Sequence, residues 1–192
     1  MSSAQPASDA VVGRMRAWVE HAVIGLNLCP FAKAVQVREQ IRYVATPATD
    51  ANALLQVLCE ELHRLAAADP AALETTLLIH PQVMNDFLDF NDFLEAADGA
   101  VDALGYTGVL QVASFHPMYQ FEGTSANDIT NASNRSPFPT LHLLRETSID
   151  RAIQMFGDTD DIFRDNVRTL QALGPEGWAA VQARIDQAGD PG

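Results

Sequence analysis

Thr75-Thr-Leu-Leu-Ile-His80-Pro81 and Gly108-Val-Leu-Gln-Val-Ala-Ser-Phe-His116-Pro117 are two apolar runs of strand length, and both end in His-Pro. The continuous hydrophobicity of the first suits a strand buried on both faces. The proline has no N–H to give a ladder, so it turns the chain out of the sheet. Between the two runs, Asn85 is a candidate cap, Phe87, Leu94, Val101 and Leu104 share one helical face, and Gly105 is a stop. Strand, helix, strand in this order predicts a βαβ unit in a parallel sheet.

The same unit is legible upstream. Ile41 to Thr46 reads as a strand ended by Pro47. Thr49 or Asp50 then caps a helix whose Leu54, Leu58, Leu62 and Leu65 form one stripe before Asp69-Pro70. Residues 9 to 28 read as a helix carrying Val12, Met15, Val19, Val23 and Leu26, broken at Cys29-Pro30. Downstream, Thr140 to Glu146 reads as a fourth strand, and Ser148 caps a helix to Phe156. Helices near 160–173 and 175–187 follow, with Gly174 as stop and Pro175 in a first turn. The expectation is one α/β domain, with a small, mostly parallel sheet of three or four strands flanked by helices and a helical C-terminus. Its core spans about residues 10–187, and the termini are expected to fray.

Composition sets the function classes. The 192 residues are 47% hydrophobic with a net charge of −13, and a single lysine, Lys33, stands against eleven scattered arginines. Such a surface repels a phosphate backbone or an anionic membrane. Met1 to Val12 has no basic region followed by an apolar stretch, and no run is long enough to cross a bilayer, so a cytoplasmic protein is expected. Cys29 and Cys59 do not form a disulfide framework, and in that compartment they stay thiols.

Parallel strands bring His80 and His116 to one carboxyl edge, where open α/β sheets bind ligands. The competing reading is that each ring merely bonds a loop carbonyl. Residues 117–139 lack strand periodicity, and connections that long are usually functional or disordered. The aromatics Tyr119, Phe121 and Phe138 argue for order, and Ser125-x-x-Asp128 resembles a capping box. This loop leaves from His116, so it delivers Tyr119, Asn131, Ser133, Asn134, Arg135 and Ser136 to the same edge. Arg135 offers a fork matched to carboxylate or phosphate, and His142 and Arg145 follow on the next element. Against this, Asn and Ser commonly hold a loop together through backbone bonds.

Cys29, at a helix boundary, is either a candidate nucleophile whose thiolate backbone N–H groups favour or a packed core thiol. The residue types of His80, His116, His142 and Cys29 suit zinc, although no ligand spacing marks such a site. Asp86, Asp89, Asp92 and Glu95 recur every three residues; they have the residue types to bind a divalent cation, and a solvated acidic face is the simpler reading. Gly-rich phosphate loops, Cys-x-x-Cys, Gly-x-Ser-x-Gly and His-Glu-x-x-His are all absent.

Gly25-Leu-Asn-Leu-Cys-Pro-Phe-Ala-Lys33, Thr76-Leu-Leu-Ile-His-Pro81, Ala113-Ser-Phe-His-Pro117 and Asn134-Arg-Ser-Pro-Phe-Pro-Thr-Leu-His-Leu-Leu-Arg145 together resemble an uncharacterised bacterial family, the domain of unknown function family 1415. The resemblance covers roughly residues 10 to 185 and implies one complete domain, with no activity, cofactor or catalytic residue to carry over. The residues themselves favour a small-molecule enzyme with His80, His116 and Cys29 as catalytic candidates. Tyr119, Asn134, Arg135, Ser136, His142 and Arg145 are the candidates for holding an anionic substrate. The alternatives are a non-catalytic metabolite- or peptide-binding protein using the same cleft, and an acidic protein–protein interaction module.

Overall fold

The computed structural model describes residues 4–157 and 159–188, so the frayed ends expected at the termini lie outside the described residues. Four strands form one sheet: β1 (Ile41–Ala45), β2 (Thr75–Ile79), β3 (Leu110–Phe115) and β4 (Thr140–Arg145). The spatial order is β1-β2-β4-β3, with β1 and β2 parallel and β4 antiparallel to both of its neighbours. Three strands therefore run one way, as the βαβ reading requires. The fourth enters between β2 and β3, so the sheet is mixed.

Side chains alternate across the strands. Leu78, Leu110, Leu141 and Leu143 face one layer, where they pack with Leu54, Leu58, Leu62 and Leu65 of α3 (Ala51–Ala67) and Phe90, Phe93 and Val101 of α4 (Phe87–Ala103). Leu77 and Ile79 face the other, with Met15 and Trp18 of α1 (Ala4–Trp18) and Leu170, Trp178 and Ile185 of α6 (Thr159–Ala188). The short α2 (Ala32–Val37) and α5 (Glu146–Phe156) complete the element order.

Local chemistry sets the element ends. Asp50 caps α3 by accepting from the Ala53 N–H, and Asp86, one residue beyond the expected Asn85, caps α4 through the N–H groups of Leu88 and Asp89. Asp128 caps a 3-10 turn over Ile129–Asn134 inside the long loop, in place of a box opened by Ser125. Helix α5 starts at Glu146, ahead of Ser148, whose hydroxyl bonds Glu74 instead of capping. Helix α6 breaks at Gly174, whose φ of 67° favours glycine, and restarts at Pro175, as expected.

The single helix expected over 9 to 28 is where the fold departs most. Helix α1 passes into a π-helical turn, Val19–Ile24, closed by the Gly25 N–H donating to the Glu20 carbonyl at 3.0 Å. The widened turn pushes the His21 carbonyl outward. A Cβ at position 25 would lie 2.4 Å from that oxygen. Position 25 accepts only glycine for this steric reason, since its φ of −61° is ordinary.

Gly25→Ala is therefore expected to cost about 1–3 kcal/mol through overpacking against backbone. That corresponds to a melting temperature lowered by roughly 3–10 °C for a chain of this size. A thermal melt followed by circular dichroism reads it, and an unchanged midpoint would remove the steric account.

Candidate functional site

His80 and His116 follow directly on β2 and β3, and both rings turn toward the α3–α4 layer. Because β4 separates their strands, the two positions are about two strand spacings apart, roughly 10 Å. Phe90 fills that gap, with its centroid 5.5 Å from the His80 ring and 5.2 Å from the His116 ring. The two imidazoles do converge, and both are fully buried.

Their hydrogen bonds identify the tautomers. His116 Nδ1 accepts from the Met118 N–H at 3.0 Å, so its Nε2 carries the proton and donates to the Met84 carbonyl at 3.1 Å. His80 Nδ1 donates to the Val83 carbonyl at 3.0 Å, which leaves Nε2 a bare lone pair, buried and without a partner among the described residues. Both rings thus grip the turn between Pro81 and Asp86 and seat it on α4. Burial holds His80 down to about 4, and the neighbouring His116 pushes the same way. His116 is also lowered, chiefly by desolvation.

The long loop is fastened from inside. Asn131, with no exposed surface, accepts from the Phe121 N–H and the Thr124 hydroxyl and donates to the Ser125 carbonyl. Ser136 donates to the Phe138 carbonyl and Asn134 to the Ser114 carbonyl. Tyr119 packs between Phe87 and Phe121. Arg135 sends Nε to the Tyr119 carbonyl at 3.0 Å and Nη2 to the Ala126 carbonyl at 2.7 Å. Burial lowers its pKa. A guanidinium stays protonated regardless. Among the described residues it has no carboxylate partner.

The remaining candidates are not gathered at this place. His142 leaves β4 on the opposite face, toward the α1–α6 layer. Its Nε2 meets the Thr75 hydroxyl at 2.8 Å, and that hydroxyl donates to the Leu143 carbonyl. The ring therefore donates, and desolvation holds it to about 4. Arg145 lies at the far edge of the sheet, because antiparallel β4 carries it five residues, roughly 17 Å, away from Thr140. There it caps α3 by donating to the carbonyls of Leu65, Ala68 and Leu73. Burial raises the Cys29 thiol, outweighing the N–H groups of Phe31 and Ala32, which pull it down. Among the described residues, no three His, Cys, Asp or Glu side chains converge as a metal site would need.

What does open at the carboxyl edge is a cleft of about 280 Å³ on the α1–α6 side. Pro117, Arg135, Ser136 and Pro137 form its loop wall, Arg14 and Trp18 come from α1, and Trp178, Gln182, Ile185 and Asp186 come from α6. Arg14 is ion-paired with Asp186 through Nη2, and its guanidinium lies over the Phe138 ring at 5.6 Å. The Nε of Arg14 and the indole N–H of Trp18 are both buried without a partner among the described residues. Sequence reading found the loop wall and missed the helical walls. Arg14 and Asp186 are 172 residues apart, and the only local hint is the spacing of four between Arg14 and Trp18 on one helix.

No described helix is long and apolar enough to cross a membrane. The family model described as "Protein of unknown function (DUF1415)" matches residues 10–180. The chain belongs to that family. No curated protein and no solved structure matches the chain.

The buried imidazoles make stability depend on acidity. An unfolded His80 takes its proton near 6.5 and the folded one near 4, so stability falls as pH drops from about 6.5 to about 4 and levels off below. The His80 share is roughly 3 kcal/mol. His80→Asn keeps a donor for the Val83 carbonyl but does not titrate. Urea midpoints between pH 7 and 4.5 are expected to fall less steeply in that variant, with the residual slope from His142 and His116. Equal slopes would contradict this account.

Proposed function

We propose that this DUF1415 protein binds a small organic anion in the cleft between the 117–139 loop, α1 and α6, with Arg135 as its anchoring cation. One observation carries the reading. In a chain of net charge −13, two arginines border a single concavity, and one of them has no carboxylate among the described residues. A partly desolvated guanidinium attracts an anion more strongly than one in open water. Two carbonyls hold Arg135 in place, so little side-chain entropy is lost when a ligand arrives.

This is the binding alternative rather than the catalytic one. His80 and His116 face the other side of the sheet; His80 Nδ1 and His116 Nε2 bond the Pro81–Asp86 turn, and His116 Nδ1 accepts from the Met118 N–H, which leaves His80 Nε2 alone without a partner among the described residues. A thiol raised by burial is a poor nucleophile. A second reading, in which His80, His116 and Cys29 act chemically, is favoured by that bare Nε2 alone, and it requires the turn over α4 to open. The acidic-module reading has less support, because Asp86 is already used as the α4 cap.

The protein carries its own reporter, since its only two tryptophans, Trp18 and Trp178, both line the cleft. Titration with hexanoate and with inorganic phosphate, followed by tryptophan emission, is expected to saturate. Arg135→Gln should weaken binding about tenfold or more, and Arg135→Lys, which keeps the charge but not the fork, should fall between. Wild-type affinity in Arg135→Gln would sink the reading.

A further inference from the structure

We infer that the inner end of this cleft is a monocarboxylate subsite, in which Arg14 Nε and the Trp18 indole N–H receive the two carboxylate oxygens and Asp186 sets the charge that can enter. The inference rests on the binding reading above and names its ligand class. Both donors are buried with no hydrogen-bond partner among the described residues, and Trp18 is only 2% exposed. An unsatisfied buried N–H is costly, and two of them beside one cleft call for an acceptor. Arg14 and Trp18 stand four residues apart on α1, hence on one face of the helix.

The guanidinium of Arg14 is already oriented. Phe138 lies under one face and Asp186 takes Nη2, so Nε is the buried donor left without a partner among the described residues. A carboxylate places two oxygens in one plane and matches a pair of N–H groups. Charge narrows the class further. Two guanidiniums against the one carboxylate of Asp186 leave the lining a single positive charge, which a monoanion neutralises and a phosphate dianion exceeds. Of the seven uncharged lining residues, Trp18, Trp178, Ile185, Pro117 and Pro137 are largely apolar and would cover a hydrocarbon body, with Ser136 and Gln182 as the polar remainder. The geometry therefore fits a small carboxylic acid with an apolar tail.

The test uses the full chain, hexanoate and inorganic phosphate, with emission from the remaining tryptophan as the signal. Trp18→Phe keeps an aromatic ring beside Phe115 and removes only the donor. Hexanoate affinity is expected to fall at least about tenfold in it. Arg14→Lys, a change at a half-exposed position that keeps a charge for Asp186, should give a similar loss and covers the case in which the core variant does not fold. Asp186→Asn, which removes a part-exposed ion pair of small stabilising value, should tighten phosphate more than hexanoate. Hexanoate binding unchanged in both Trp18→Phe and Arg14→Lys overturns the subsite while Arg135→Gln still weakens binding, and the reading above then stands without it. Equal tightening of both anions in Asp186→Asn overturns the charge argument. No saturable signal from either anion up to about 10 mM in wild type removes the subsite and the reading together.

Discussion

The insertion of β4 between β2 and β3 is the constraint from which the rest follows. A strand antiparallel to both neighbours must begin at the edge where they end, so the chain leaving His116 has to return to that same edge at Thr140. The intervening segment therefore cannot cross the sheet, as a helical crossover would. It stays at the carboxyl edge, coils on itself around Asn131 and presents Arg135 and Ser136 to the space beside α1 and α6. The same insertion holds β2 and β3 two places apart, and that separation is the room in which Phe90 sits between two imidazoles. One pairing choice accounts for both the cleft and the histidine latch.

Much of this was legible in the residues, in proportion to how local the cause was. Apolar runs closed by proline marked β2 and β3, leucine periodicity marked α3, and Gly174-Pro175 marked the break in α6. The convergence of His80 and His116 also followed, since it needs only that their strands run the same way. What the rings do there did not follow, because a strand-end histidine looks the same in sequence whether it meets a ligand or a carbonyl. Arg145 shows the opposite difficulty. It is near the loop in sequence, yet five residues of extended chain remove it to the far edge, and the direction of β4 is a long-range fact. The helical walls of the cleft needed both ends of the chain at once, and no window of sequence contains Arg14 and Asp186 together.

Period-two alternation separates stability from recognition. His116 turns its ring to the α4 side, whereas the next residue, Pro117, lines the cleft with α1 and α6. Residues adjacent in sequence therefore serve opposite faces. The imidazole pair anchors a turn in a dry interior where protonation is disfavoured, while Arg14 and Arg135 line the open cleft.

The acidity of the chain sharpens the second role. At a net charge of −13 the distant field repels any anion, so long-range attraction cannot be what brings one in. Recognition has to rest on contacts closer than a Debye length of about 8 Å at physiological salt. That favours a ligand with one compact charge and an apolar body over a polyanion, since each added negative charge meets the field again at the mouth of the cleft. It also assigns the apolar walls a share of the affinity that salt does not screen. The exposed acidic face along α4, with Asp89, Asp92 and Glu95 pointing to solvent, contributes to that repulsive field without touching the cleft. On the proposed reading, selectivity against multiply charged metabolites is thereby a property of the whole surface, and the two arginines of the cleft are a local exception to it.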